Sequence, residues 1–229
     1  MEQTLRPSEN LYRPIDGSLV SCTKSSRLSE NIRAAQVGRE LHRFFSRKDY
    51  PCVAGLHAFK KGEFQVGFYG RLGTGDHGRQ LRNDLIYFAS EQERKKSIYL
   101  TFFAIFDEGD CTEAEFETKL WQELSSLTSF ETFDQDFKPG DGADPKSPAF
   151  RFSLLKREYF VVGLYPQSSR KARRFIKPAL VFNLFAQFEE LQSRGAYEGP
   201  VKTIRSRELK FEGSVNPMVQ AHGESWESI

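Results

Sequence analysis

Apolar residues recur at two different periods along this chain, and the alternation between them outlines most of its elements. From Ser29 onward, Ile32, Val37, Leu41, Phe44 and Phe45 fall on one side at helical spacing, with Arg33, Arg39, Glu40 and Arg43 elsewhere, which predicts an amphipathic helix to about Lys48. Pro51 prevents its continuation. Residues 52–59 and 64–69 then read as two strands joined at Lys60-Lys61-Gly62-Glu63, a hairpin. A second helix is expected from Arg79 to about Glu93, burying Leu81, Leu85, Ile86 and Phe88. The run from Ile98 to Phe106 is apolar on both faces and bounded by charge, the pattern of a central strand. Behind it, Thr112-Glu-Ala-Glu115 has capping-box spacing, and Phe116, Leu120, Trp121 and Leu124 continue a helix.

Residues 134–148 are rich in Asp, Gly, Pro and Lys and read as an irregular loop dividing the chain in two. Beyond it, 150–155 and 159–164 predict a second hairpin and 179–182 a further strand. Helices follow from Phe185 to about Arg194 and near Val201 to Leu209. Residues 1–27 mix Pro, Ser, Thr and charge without periodicity and read as an extended arm ahead of a single domain spanning 28–229. Hairpins mixed with helices, without strict strand-helix alternation, indicate an α+β fold: one largely antiparallel mixed sheet covered by helices.

Composition narrows the class. The 229 residues are 38% hydrophobic, enough for one full core, and 21 phenylalanines make an aromatic-lined pocket a natural feature of it. With 33 basic and 31 acidic residues the formal net charge is +2, too small a field to indicate nucleic acid as partner. Three cysteines without a C-x-x-C pair suit a reducing cytoplasm and oppose a disulfide framework. The first residues lack a signal-peptide pattern and no apolar run approaches the ~20 residues needed to span a bilayer, so a cytoplasmic protein without membrane partners is expected.

Candidate chemistry is sparse. Gly73-Thr-Gly-Asp-His-Gly78 is formally a G-x-G-x-x-G, but the strand before it is expected to belong to a hairpin, and Asp107 lies too far on to be the ribose-binding acid, so a turn leading into a helix is the better reading. Ser168-Ser-Arg170-Lys171-Ala-Arg173-Arg174 groups cations whose guanidinium forks match phosphate or carboxylate oxygens; a solvated basic face is the plainer alternative. Asn183, Gln187, Arg205, Arg207 and Asn216 offer hydrogen-bonding ends for a small polar ligand. Of four histidines, His42 sits beside the apolar stripe of the first helix, His57 inside an apolar segment, His77 in the glycine-rich loop and His222 shortly after Asn216-Pro-Met. No G-x-S-x-G, H-E-x-x-H or Walker motif supports hydrolytic or nucleotide chemistry.

Several unlike motifs nevertheless recur in one order. They are Tyr50-Pro51-Cys52, Phe150-Arg-Phe-Ser, Tyr159-Phe-Val-Val-Gly-Leu-Tyr-Pro, Ser168-Ser-Arg-Lys-Ala-Arg-Arg-Phe, Pro178-Ala-Leu-Val-Phe-Asn, Gln187-Phe-Glu and Gly213-Ser-Val-Asn-Pro-Met. This order resembles the YqcI/YcgG family, also described by FPC/CPF motifs, over roughly residues 28–222. The resemblance implies a heme-dependent oxygenase that N-hydroxylates a guanidine or amine, with an arginine-like substrate. The Tyr-Pro-Cys element matches the family's FPC; its CPF partner is not visible before Ile229. In the family pattern Asn-Pro-His commonly follows the last apolar run, and that His is the expected iron ligand; here the matching residues are Asn183-Leu184-Phe185. If heme binds, His222 or His57 is the expected ligand. At least one of Arg170, Arg173 and Arg174 is expected to turn toward a pocket shared with Asn183 or Gln187. The alternative is a non-catalytic small-molecule-binding or regulatory member that has lost the heme ligand.

Overall fold

The strand β4 (Thr101–Asp107) carries Phe102, Ala104 and Phe106 toward one side and Phe103 and Ile105 toward the other, and every residue from Thr101 to Phe106 is buried. A strand apolar on both faces must lie inside a sheet with helices on each side. The computed structural model describes residues 6–23, 27–107, 111–129, 150–195 and 198–214. In it β4 lies at the middle of a seven-stranded sheet ordered β2-β1-β3-β4-β7-β6-β5. The other strands are β1 (Leu11–Ile15), β2 (Ser18–Ser21), β3 (Phe64–Arg71), β5 (Phe152–Leu154), β6 (Arg157–Leu164) and β7 (Ala179–Leu184). Only β3 and β4 run parallel; all other neighbours are antiparallel. The α+β class and the single, largely antiparallel mixed sheet match the sequence-based expectation.

Helix α1 (Leu28–Phe45) covers one face through Ala34, Val37, Leu41, Phe44 and Phe45, with Leu56 and Phe59 of α2 (Val53–Lys61) and Phe211 of α6 (Glu198–Glu212) packed beside them. Helices α3 (Gly78–Lys95) and α4 (Glu113–Thr128) cover the other through Leu81, Leu85, Phe88, Phe116, Leu124 and Leu127. The expected capping box of α4 is present: Thr112 N–H donates to Glu115 Oε2 at 2.7 Å, and Glu115 N–H to Thr112 Oγ1 at 3.3 Å. The short helix α5 (Phe185–Ser193) follows β7 directly.

Three local expectations are corrected. Residues 53–61 form a helix, not the first strand of a hairpin: Cys52, Leu56 and Phe59 share one side at i, i+4, i+7, and Gly62 ends the helix at φ 65°, the left-handed conformation glycine adopts freely. Residues 11–21 form a hairpin of the main sheet, not an arm. Its turn is Asp16-Gly17, both at positive φ, a two-residue connection that matches strand twist. Through it Leu11 and Tyr12 enter the core at 0% and 1% exposure. Ile32, placed by periodicity on the buried stripe, is 62% exposed, because the face that docks runs through Ala34, Val37 and Leu41. No helix among the described residues is long and apolar enough to cross a membrane.

Urea unfolding discriminates the two assignments of α1 and β4. Phe102→Ala, at a fully buried site, is expected to cost about 3–5 kcal/mol, whereas Ile32→Ala should stay within about 0.5 kcal/mol. A comparable loss at both would place Ile32 in the core.

Candidate functional site

The helix α3 carries the chain from β3 to the parallel β4, so the carboxyl ends of both strands open at one edge of the sheet, where open sheets commonly take ligands. A cleft of about 240 Å³ lies there. Helix α1 supplies Glu30 and Arg33, β1 and the residue before it supply Tyr12 and Asn10, and β3 supplies Phe68, Tyr69 and Gly70; His77 and Asp107 complete the lining. Arg33 pairs with Asp107 at 2.9 Å, reaches the Tyr69 carbonyl at 3.4 Å, and holds its guanidinium 4.8 Å from the Phe68 ring centre. Gly70 leaves room for His77, because any side chain there would collide with the imidazole Nε2. The Tyr12 ring meets Phe68 edge-on at 5.2 Å, yet its Oη is buried with no hydrogen-bond partner among the described residues. Burial foremost, and then Glu30, raises the Tyr12 pKa against the opposing pull of Arg33. The phenol is therefore a protonated donor at neutral pH without an acceptor.

Behind the cleft, Asp84 of α3 is fully buried and accepts from Tyr69 Oη and Ser8 Oγ, both at 2.8 Å, and from Ser8 N–H at 3.1 Å. These bonds fix Tyr69 and fasten the entry to β1 against α3. Burial raises the Asp84 pKa, although all three bonds oppose that rise.

The glycine-rich segment lies in a βαβ unit after all, between β3 and α3, which corrects the hairpin context inferred from sequence. The dinucleotide reading fails for another reason. Glu123 of α4, 1% exposed, accepts the Gly73 N–H through Oε2 at 2.8 Å, so an internal carboxylate already occupies the anion-attracting turn. Gly73 and Gly75 adopt φ of 81° and 72°, and a side chain at 73 would strike the Lys119 backbone. The other Glu123 oxygen has no partner among the described residues, and burial pushes the carboxyl pKa up.

The residues singled out from sequence are distributed rather than gathered. His57 lies on α2 with its ring 4.0 Å from that of Tyr99 and a buried, unpartnered Nε2. Arg170 pairs with Glu208 at 3.0 Å, and Arg174 donates to the carbonyls of Ser168 and Ser169 at 2.7 and 3.1 Å. Arg173 lies in a single 3₁₀ turn, Lys171–Arg173. Asn183 accepts from Thr101 Oγ1 at 2.8 Å. Gln187 accepts from Leu184 N–H at 3.0 Å and donates to the carbonyls of Leu100 and Ser97 at 3.1 and 3.3 Å, which makes it a brace between α5 and the segment before β4. These two lie at the far end of β7 from the arginines, and among the described residues neither bonds to any of them. Phe185 is 4% exposed and the Arg151 guanidinium stands 3.6 Å above its ring. Cys52 caps α2, its Sγ accepting from Gly55 N–H at 3.2 Å, and burial raises its pKa, which keeps it a thiol. Among the described residues no group of three His, Cys, Asp or Glu is placed to hold a metal ion. His222 and Asn216 lie outside the described residues. The cleft residues other than His77 and Asp107 went unmarked as site candidates in the sequence; the Asp16-Gly17 turn was the signal that would have brought Tyr12 to β3.

Glu123 makes a pH-dependent test of the loop. Its folded pKa is raised, so the folded state binds the proton more readily than the unfolded chain, and stability falls as pH rises through the interval between the two values. Glu123→Gln keeps an acceptor for Gly73 and removes that loss. The slope of unfolding free energy against pH between about 4.5 and 7 should become shallower; an unchanged slope would mean that the carboxyl is not desolvated.

Comparisons with curated proteins and with solved structures return no match. A family model described as the YqcI/YcgG family matches residues 41–228, which takes in β3 through α6 and most of the cleft. With more than three-quarters of its length inside that match, the chain belongs to the YqcI/YcgG family.

Proposed function

We propose that this chain is a small-molecule-binding member of the YqcI/YcgG family that holds a compact, positively charged compound, an amine or guanidine, in the cleft between α1, β1 and β3. The observation that carries the reading is the lining itself. Two carboxylates, Glu30 and Asp107, flank an aromatic wall in which Tyr12 presents an unpaired buried hydroxyl. Arg33 already illustrates the recognition such a surface offers, since its guanidinium lies against Asp107 and Phe68 at once. A volume near 240 Å³ suits a ligand of amino-acid size.

For the heme-dependent N-hydroxylation that the resemblance implies, Phe185 and His57 among the described residues offer no axial ligand. A phenyl ring at 185 has no lone pair for iron, and this one is sealed beneath Arg151. The His57 nitrogen that could ligate is enclosed, its ring packed on Tyr99.

Calorimetric titration with L-arginine and with a simple alkylamine checks the binding reading. Tyr12→Phe is expected to weaken binding about tenfold through loss of the hydrogen bond that the phenol oxygen accepts from the cation, while stabilising the free protein by up to about 1 kcal/mol because it removes an unpaired buried hydroxyl. Absence of saturable binding, or equal binding by the variant, overturns the role given to Tyr12. Reconstitution with hemin checks the alternative: no intense near-ultraviolet band is expected, and a band abolished by His222→Ala or His57→Ala would establish the oxygenase reading instead.

A further inference from the structure

At the turn between β6 and β7, where the first residue of α4 meets the last turn of α6, the chain gathers Arg47, Arg170, Lys171, Arg173, Arg174 and Arg207, with Glu113, Glu208 and Glu212 as the carboxylates among them. Each carboxylate is committed. Glu113 accepts from Ser168 Oγ at 3.2 Å and from Ser169 N–H and Oγ, both at 3.1 Å. Glu208 takes Arg170, and Glu212 takes the amides of Lys171 and Ala172 at 3.0 and 2.5 Å. The other arginines satisfy themselves on neutral carbonyls: Arg47 on Phe44 and Lys171 at 2.9 and 2.7 Å, Arg174 on Ser168 and Ser169.

Arg173 is the exception. It is partly buried, and among the described residues its guanidinium has neither an ion pair nor a hydrogen-bond acceptor, although Glu208 and Glu113 are close enough to act on it electrostatically. Desolvation and then the neighbouring Arg170 charge both disfavour its protonated form. Beside it, Arg47 is held among the rings of Phe44, Tyr50 and Phe211, and its Nη2 is buried without a partner. A desolvated cation that lacks a counter-ion is strongly unfavourable, and a second cation next to it makes it more so. Donors outnumber acceptors at this turn, and an oxyanion supplies what is missing, because the guanidinium fork donates to paired oxygens in the plane of the group.

We propose that Arg173, with Arg170 beside it, forms a binding site for the oxyanion of a small molecule, a phosphate or a carboxylate, at the Lys171–Arg173 turn. The site is distinct from the cleft at the ends of β3 and β4. Glu208 is its internal competitor: it holds Arg170, and the incoming anion shares or displaces it.

The test is titration of the whole protein with inorganic phosphate and, separately, with acetate, at constant ionic strength balanced with chloride, followed by thermal unfolding. A saturable rise in midpoint is expected with one of the two anions, and the anion that produces it assigns the source as phosphate or carboxylate. Arg173→Met should raise the dissociation constant about tenfold or more, the value of one charge-assisted hydrogen bond, and Arg173→Lys should restore part of it. Glu208→Gln should tighten binding. Without anion, Arg173→Met should unfold no earlier than wild type, since the side chain has no partner to lose. Should that variant fail to fold, the Arg173 Nε–H resonance of the wild-type protein serves instead, and it should shift at the lowest anion concentrations. A midpoint insensitive to both anions, or the same rise in Arg173→Met, would show only general salt stabilisation and overturn the proposal.

Discussion

Keeping both faces of β4 dry is the constraint from which the rest of this structure follows. Its alternate phenylalanines require a helical layer on each side, and the chain supplies α3 and α4 for one and α1, α2 and α6 for the other. The crossover through α3 makes β3 and β4 parallel and brings their carboxyl ends to a single edge. The cleft is the consequence. Its floor is the end of that parallel pair, and its walls are whatever the flanking elements deliver, which are α1 and the N-terminal hairpin.

A second theme is internal substitution. Positions that attract ligands in other proteins are here filled by the chain's own groups: the glycine-rich turn by the Glu123 carboxylate, the aromatic ring of Phe185 by the Arg151 guanidinium, Asp107 by Arg33. The first two substitutions give a buried carboxylate and a buried ring partners they would otherwise lack, as a low-dielectric interior requires, and the third neutralises an exposed carboxylate at the mouth of the cleft. Against that background the unpartnered groups stand out. Tyr12 Oη lines the cleft, and Arg173 lies at the turn before β7. They lie on opposite sides of β4 and call for opposite chemistry, a cation near carboxylates in one case and an anion in the other.

The two polar anchors of the cleft also explain its dependence on the N-terminal residues. Ser8 bonds Asp84 through both its amide and its hydroxyl, and Asp84 in turn holds Tyr69. Three elements distant in sequence therefore converge on one buried carboxylate, and the wall carrying Tyr12 cannot shift without disturbing Tyr69 on the other side.

Long, strongly periodic or doubly apolar segments were legible from sequence alone. The strands expected at 98–106, 159–164 and 179–182, which the structure places as β4, β6 and β7 with ends shifted by up to three residues, the capping box at Thr112 and the helices around Leu81, Phe116 and Phe188 follow from local pattern, because burial imposes its period directly on the chain. The family was legible too, since the order of its motifs is a property of the sequence. What local pattern could not decide was set by contacts across the chain. Residues 53–61 have an apolar content that suits strand or helix, and only their fit against α1 and α6 selects the helix. The N-terminal hairpin is short and polar, and it becomes part of the fold because β3 offers it an edge. The separation of Arg170 and Arg173 from Asn183 and Gln187 is the length of β7, a distance that adjacency in a motif list conceals. Which side chains meet in a site, and which are left without partners, depended on strand order and crossover, and no local period records either.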